Sequence, residues 1–195
     1  MNSNRRQTLV AFCWPEATAS RARFAALAVI GTLALAISAK VQVPFYPVPM
    51  TLQTLAVLMI GAAYGMRFAG ATLALYLLEG LIGLPVFAGE VAGPAYAAGP
   101  TGGYLVGFVA AAALVGWLAE RGWDRSLFRL IAAMATGHVV VFVFGFAWLA
   151  ALFGAQKAWI GGVEPFIAGT IVKTLLAAAL IIAFWRGAAA LRRRV

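Results

Sequence analysis

The chain has 195 residues, of which 64% are apolar and only 11% are charged. A soluble domain carries roughly a quarter charged residues and about half apolar ones, so this composition excludes an ordinary soluble protein and requires lipid to cover part of the surface. The net charge of +9 would suggest nucleic-acid binding in a soluble protein, but the Arg residues lie between the apolar stretches or near the chain ends. This placement indicates membrane topology and excludes a nucleic-acid patch.

The chain has a single cysteine, Cys13, and a single histidine, His138. A disulfide within the chain is therefore excluded, and so is a zinc site built on clustered Cys and His. Residues 1–20 lack the basic start, the apolar run and the small-residue cleavage site of a signal peptide. We expect the chain to insert through its own membrane spans.

Six apolar stretches predict an all-α, polytopic membrane protein with six transmembrane helices. A helix needs roughly 20 residues to cross a 30 Å hydrocarbon core, and the second and fourth stretches fall short of that length. Irregular backbone inside a membrane needs cover from protein or a cavity, so short spans beside Gly/Pro-rich connectors indicate a cavity. The stretches are residues 24–39, 52–64, 68–84, 104–118, 130–153 and 166–185.

The Arg residues predict the orientation of the chain. The connectors at 40–51, 85–103 and 154–165 contain no Arg, whereas the turn at 65–67, the loop at 120–129 and the terminal segments contain all of them. Because Lys and Arg are enriched in cytoplasmic loops, we place both termini in the cytoplasm.

No internal repeat is visible, which favours one domain over the inverted repeats of many secondary transporters. We divide the chain into a cytoplasmic N-terminal segment at 1–22, a six-helix transmembrane domain at 23–186 and a basic cytoplasmic tail at 187–195.

Three ionisable residues lie within the apolar stretches: Glu79, His138 and Lys173. Such residues are costly in a membrane and usually mark a substrate path or a charge pair. Counted from the same side, Lys173 lies about 10 Å deep and Glu79 about 8 Å deep. We hypothesise that the two pair in the empty site or share one ligand. Each residue has its own open alternative: the Lys173 side chain reaches back to the membrane interface, and the third helix unwinds at Gly80 and leaves Glu79 in water.

The pattern around His138, with Thr136 and Gly137 beside it, favours a hydrogen bond between helices over a proton relay. The first apolar stretch carries small residues at four-residue spacing, which lets helix backbones approach closely and would suit docking to another membrane subunit. These residues are Ala22 and Ala26, and then Ala28, Thr32 and Ala36.

Three motifs are more specific than the apolar composition of the chain explains. They are VPFYPVPMTLQTLAV at 43–57, YLLEGLIGLPVFAG at 76–89 with GPTGGYLVGF at 99–108, and GVEPFIAGTIVK at 162–173. At these residues the chain resembles the BioY family, the biotin-binding S components of energy-coupling-factor (ECF) transporters. The resemblance extends from about residue 23 to residue 184.

The resemblance implies a six-helix substrate-binding subunit in the bacterial cytoplasmic membrane that captures biotin from outside. It implies no cofactor and no ATPase of its own, and the sequence contains no GxxxxGK[ST] phosphate loop. ATP-driven transport would then need a transmembrane coupling subunit and two ATPases, docked through the first span. Some members of the family work without those partners, as dimers, so a homo-oligomer is the alternative.

Biotin carries a ureido ring, an apolar chain and a carboxylate, and it requires an apolar, aromatic pocket with a few placed polar groups. We expect the buried ammonium of Lys173 to neutralise the carboxylate. The glycines of residues 99–104 would let backbone and Thr101 approach a ligand at a helix start. The candidate binding residues are Thr51, Gln53, Tyr76, Glu79, Phe87, Thr101, Tyr104, Thr170 and Lys173.

The chain departs from the family pattern at two of these positions. The family typically has an acidic residue three before the lysine of the last span, and Thr170 stands there. Position 79 is usually apolar, and Glu79 stands there. The loss of one acid and the gain of another favour Glu79 as a partner of Lys173.

The same residues bear on two other classes of function. An intramembrane enzyme would need a nucleophile with a base, or clustered metal ligands, and the sequence offers neither. A proton-coupled secondary carrier using Glu79 and His138 stays open, and so does an S component for another vitamin.

Overall fold

The structure is a computed structural model that describes residues 7–14 and 20–193, and it is predominantly helical. Arg5, Arg6 and Arg194, which entered the prediction of topology, lie outside the described residues. A short antiparallel ribbon follows the second helix, with β1 (Gln42–Val43) paired to β2 (Met50–Thr51). The helices are α1 (Leu9–Cys13), α2 (Arg21–Lys40), α3 (Gln53–Tyr64), α4 (Met66–Leu81), α5 (Pro94–Ala98), α6 (Gly102–Ala119), α7 (Leu127–Phe153), α8 (Ala155–Gly162) and α9 (Ile167–Arg192), with 3-10 turns at Trp123–Arg125 and Glu164–Phe166.

Each of the six predicted apolar stretches corresponds to one helix: α2, α3, α4, α6, α7 and α9. Four helical segments are long and apolar enough to cross a membrane, namely Ala22–Lys40, Gly102–Ala119, Leu127–Phe153 and the run Ala155–Arg192. With 12 residues, α3 is as short as its apolar stretch predicts. The helix from the fourth stretch, α6, reaches 18 residues because it begins at Gly102. Instead, α4 is the other of the six helices that is shorter than the roughly 17–25 residues of a membrane crossing, since it has 16 residues.

The centre of the bundle is α6, which packs against α3, α4 and α7. Its residues Ala111, Ala112 and Val115 are fully buried. A Cβ added to Gly61 of α3 would lie 2.8 Å from the carbonyl oxygen of Ala112, so the two helices meet backbone to backbone. Small residues at the contact permit this close approach, as in other membrane helix pairs.

The three Arg-free connectors meet at one end of the bundle, which we call the connector end. The Lys40 ammonium donates to the carbonyl oxygens of Phe87 at 2.8 Å and Gly89 at 2.6 Å, which fixes the second connector to the end of α2. The ring of Phe45, in the first connector, lies 6.2 Å from that of Phe166, which follows the third connector. Chain segments far apart in sequence therefore form one surface.

The opposite end, which we call the terminal end, contains α1 and the loop before α7. Trp185 Nε1 donates to Asp124 Oδ2 at 2.9 Å, and the Arg125 guanidinium lies 3.3 Å from the centre of the Trp185 ring. Phe12 of α1 packs on Trp185 at 5.1 Å and lies under Arg192. Burial raises the pKa of Asp124 to about 6, against the opposing effects of Arg125 and the Trp185 hydrogen bond. The Arg-rich and Arg-free segments are thus separated between the two ends.

The predicted docking row on α2 is only partly exposed. Ala28 and Thr32 are buried, and Thr32 Oγ1 donates to Glu79 Oε1 of α4 at 3.1 Å. Ala36 is half-buried. The prediction is therefore wrong for Ala28 and Thr32, because the helix turns this row toward α4. Three exposed alanines of α2 are separated by four and eight residues: Ala22, Ala26 and Ala34.

Candidate functional site

A recess at the connector end lies between the first connector, α3, α6, α7 and α9. It holds about 530 Å³ of space between atoms when its open mouth is counted. Six of the nine predicted binding residues line it. The full lining is Val48, Pro49, Thr51, Gln53, Thr54, Tyr96, Thr101, Tyr104, Leu105, Phe108, Val141, Phe142, Phe166, Thr170 and Lys173.

Lys173 brings the only ammonium among the residues that line this recess. It lies in the second turn of α9 and is only 7% exposed. Its Nζ donates to the carbonyl oxygen of Thr51 at 3.2 Å, so the side chain is held inside the bundle. An ammonium has three N–H donors, and a ligand oxygen could accept from the others. The recess is thus suited to an acidic group.

Gln53, at the start of α3, connects the recess to a second layer of side chains. Its Nε2 donates to the hydroxyl of Tyr76 at 2.7 Å, and that hydroxyl donates to the Val86 carbonyl oxygen at 2.7 Å. The ring of Phe87 packs edge-on against Tyr76 at 5.6 Å. Tyr76 and Phe87 are fully buried and do not line the recess. Both were predicted to contact the ligand, and the structure places them behind the residues that line it.

Tyr104 and Thr101 line the recess from the start of α6. The Tyr104 hydroxyl donates to the Gly162 carbonyl oxygen at 2.6 Å, which ties α6 to the end of α8. Its ring lies against the backbone of Gly145 in α7, where a Cβ would overlap it. The GPTGGY motif therefore contributes one wall of the recess through side chains that its packing holds in place.

Glu79 and Lys173 form no ion pair in the part of the chain that the structure describes. Glu79 is half-buried, accepts a hydrogen bond from Thr32, and does not line the recess. The helix α4 continues past it to Leu81, so it does not unwind at Gly80. The pairing predicted for the empty site is thus absent, and the carboxylate belongs to the contact between α2 and α4.

His138 forms the hydrogen bond between helices that its position favours. Its Nδ1 lies 3.0 Å from Thr174 Oγ1 on α9 and 3.2 Å from the Met134 carbonyl oxygen. The side chain is buried and is not part of the recess. In residues 7–14 and 20–193, no group of three or more His, Cys, Asp or Glu side chains could hold a metal ion.

Sequence reasoning missed nine lining residues. Most are apolar or aromatic, and in a chain that is 64% apolar hydrophobicity does not separate them from the lipid-facing side chains. Membership of the three motifs was a usable signal for six of them, namely Val48, Pro49, Thr54, Leu105, Phe108 and Phe166. The missed residues are Val48, Pro49, Thr54, Tyr96, Leu105, Phe108, Val141, Phe142 and Phe166.

Comparison with known proteins identifies the family. The BioY family profile matches residues 9–190, nearly the whole chain. The chain belongs to the BioY family. A Pyrococcus horikoshii relative described as a probable biotin transporter BioY is 40% identical over 147 residues, covering 75% of this chain and 85% of that protein. The biotin transporter BioY of Rhizobium etli is 38% identical over 168 residues, covering 82% of this chain and 87% of that protein.

A solved structure shares the architecture of this BioY-family chain. It is described as the crystal structure of the S-component for biotin from an ECF-type ABC transporter. The TM-score is 0.75 at 25% sequence identity, and the match covers 85% of this chain and 92% of the other. The family and the apolar helices together identify a multi-pass membrane protein.

Proposed function

We propose that this BioY-family chain binds biotin in the recess and acts as the S component of an ECF transporter for biotin uptake. The names of its relatives and the matched S component for biotin support this function. The observation that carries it in the structure is a buried ammonium, Lys173, in a recess lined mainly by apolar and aromatic side chains. Such a recess complements a ligand with an apolar chain and one acidic end. The role is transport and not catalysis.

Different residues of the recess would contact different groups of biotin. Lys173 would neutralise the carboxylate, and Phe108, Phe142 and Phe166 would cover the apolar chain. Ureido N–H groups need acceptors and the ureido oxygen needs a donor. Thr170 and Thr101 offer hydroxyls from two different elements, α9 and the residue before α6. Tyr76, Phe87 and Glu79 act indirectly, by holding the elements that form the recess.

The proposed topology follows from the separation of Arg between the two ends. We infer six membrane crossings in a bacterial cytoplasmic membrane, with the terminal end inside and the connector end outside. This orientation satisfies the positive-inside bias and opens the recess to the medium. We keep the predicted division into a cytoplasmic N-terminal segment at 1–22, a transmembrane binding domain at 23–186 and a basic cytoplasmic tail at 187–195, and the first residues of that tail continue α9 to Arg192.

Uptake driven by ATP would engage a transmembrane coupling subunit and two ATPases through α2. The exposed face of Ala22, Ala26 and Ala34 supports this docking, because small residues let a second helix approach closely. A second copy of this chain is the alternative partner for this face of α2. The proton-coupled alternative gains no support, because Glu79 and His138 are bound to threonines outside the recess. The alternative of an S component for another vitamin gains no support from the relatives, which are named for biotin.

The test is calorimetric titration of biotin into the purified protein in detergent, for the wild type and for Lys173→Met. We expect saturable binding to the wild type and an affinity lower by about thirtyfold in the variant, since a hydrogen bond to a charged group is worth roughly 2 kcal/mol. Lys157→Met, which removes an exposed lysine of α8, is the matched control and should bind normally. Absence of binding to the wild type would overturn the proposed function, whereas equal affinities would remove only the role of Lys173.

A further inference from the structure

Thr54 places a buried polar atom with no protein partner on the wall of the recess. Three buried side-chain polar atoms lack a hydrogen-bond partner in the part of the chain that the structure describes: Thr54 Oγ1, Asp124 Oδ1 and His138 Nε2. Of these three residues, only Thr54 lines the recess. Proteins pair nearly all their buried polar groups, because an unpaired one is costly. The unpaired hydroxyl therefore needs a physical reason.

The position of Thr54 removes the usual helical partner of its hydroxyl, and the carbonyl oxygen three residues earlier, that of Thr51, already accepts from Lys173. A helical threonine commonly donates to the carbonyl four residues earlier, as Thr72 and Thr136 do here at 2.9 and 2.8 Å. Thr54 is the second residue of α3, and the residue four before it, Met50, belongs to β2. Its hydroxyl is therefore available to another partner.

Two other hydroxyls of the recess already donate to protein groups. Thr51 Oγ1 donates to Gln53 Oε1 at 3.2 Å, and the Tyr104 hydroxyl donates to a backbone carbonyl of the third connector. Lys173 is bound to the carbonyl oxygen of Thr51, one helical turn before Thr54. Thr54 and Lys173 both line the recess, and the Lys173 ammonium is bound to the segment, residues 51–54, that contains Thr54.

We propose that Thr54 Oγ1 donates a hydrogen bond to the carboxylate of the bound ligand, beside the Lys173 ammonium, and thereby selects the free acid over its neutral derivatives. This inference rests on the proposed function, in which the ligand is biotin. A carboxylate accepts several hydrogen bonds at once, so one lysine N–H and one hydroxyl can serve it together. Bonds to an ionised group are about twice as strong as neutral ones, so the contact discriminates between acid and ester.

The experiment compares biotin with biotin methyl ester on the wild type and on Thr54→Val, by titration calorimetry in detergent. Valine has nearly the same shape as threonine and removes only the hydroxyl. We expect Thr54→Val to bind biotin about tenfold more weakly and the methyl ester less than threefold more weakly. Thr72→Val removes a buried hydroxyl outside the recess, so it should leave the ratio of the two affinities unchanged. Thr54→Ser keeps the hydroxyl and should keep the wild-type ratio.

Thermal unfolding of the ligand-free protein separates a binding role from a structural one. Because the hydroxyl has no protein partner, Thr54→Val should unfold at the wild-type temperature or above it. A lower temperature together with equal losses for both ligands would overturn the inference, as would an unchanged affinity for biotin. If Thr54→Val does not fold, the comparison of Thr54→Ser with Thr54→Ala gives the same readout. Failure of the wild type to bind biotin would overturn the proposed function itself.

Discussion

Two glycines let aromatic side chains of the binding region lie directly on helix backbone. The ring of Phe87 covers Gly80 of α4, and the ring of Tyr104 covers Gly145 of α7, in both cases where a Cβ would overlap the ring. Both rings are almost fully buried. Glycine therefore serves here as a flat surface against which a large side chain packs, and for Tyr104 this packing acts together with the hydrogen bond to Gly162 to fix one wall of the recess.

Asp124 at the terminal end should make stability depend on pH. Burial raises its folded-state pKa from 3.8 to about 6. Between these values the folded protein holds a proton that the unfolded chain has lost, so stability falls as pH rises and levels off above pH 6. The full loss is roughly 3 kcal/mol, of which about 2 kcal/mol falls above pH 4.5. Thermal unfolding in detergent from pH 4.5 to 7.5 should show it as a decrease of several degrees.

The control for this prediction is Asp124→Asn, which keeps an oxygen for the Trp185 N–H and has no charge to titrate. The difference in unfolding temperature between wild type and variant should shift in favour of the variant as pH rises. A difference that is constant across this range would show that the carboxyl titrates as it does in water.

The sequence identified the residues of the site better than it identified their roles. Lys173, Gln53 and Thr51 lie in short motifs whose polar groups have few other uses within an apolar chain, and all three line the recess. Tyr76 was expected there too, yet its hydroxyl is held between Gln53 and the Val86 carbonyl oxygen. Which polar group a side chain reaches depends on contacts across the fold, and linear spacing does not contain them.

At the scale of elements, hydrophobicity predicted the helices well and their ends less well. The third apolar stretch was expected to reach residue 84, but α4 ends at Leu81. Gly83, with a φ of 101°, turns the chain there, and Lys40 holds the following connector from another element. Helix ends depend on such local turns and on remote contacts, whereas helix interiors depend on the apolar pattern itself.

The exposed face of α2 gives a prediction at the same scale. Tryptophan in place of Ala26 would keep a second helix from approaching closely, so Ala26→Trp should lower ATP-dependent biotin uptake at least tenfold in cells that co-express an ECF module. Biotin binding to the purified variant should be unchanged. Ala151→Trp, at an exposed alanine of α7, is the control. Normal uptake by Ala26→Trp would exclude this face as the docking surface.

At the scale of the whole molecule, the partition of charge predicted which segments would lie together. The Arg-free connectors meet at the connector end, and Asp124, Arg125, Arg192 and α1 meet at the terminal end. Charge placement reflects how a chain inserts, so it is informative about sides of the bundle. It contains no information on which helices are neighbours, and the central place of α6 had no counterpart in the sequence analysis.

The proposed orientation can be tested with the single cysteine of the chain. Cys13 is exposed at the terminal end. We expect a membrane-impermeant thiol reagent to label it in inverted vesicles and not in intact cells. A Cys13→Ser protein with Glu90→Cys, at an exposed site of the second connector, should show the opposite pattern. Labelling of Glu90→Cys in inverted vesicles and not in intact cells would show that the orientation is the reverse of the one proposed.

The short length of α3 bears on how far a captured ligand still has to travel. A helix of 12 residues measures about 18 Å, against roughly 30 Å of hydrocarbon. The β1–β2 ribbon precedes α3, and Gln53 and Thr54 of its first turn line the recess. A ligand bound there, as proposed, would therefore lie about 18 Å from the other end of that helix. In the proposed orientation, the distance that biotin has still to travel along α3 would then be nearer to about 18 Å than to the roughly 30 Å of the whole hydrocarbon core.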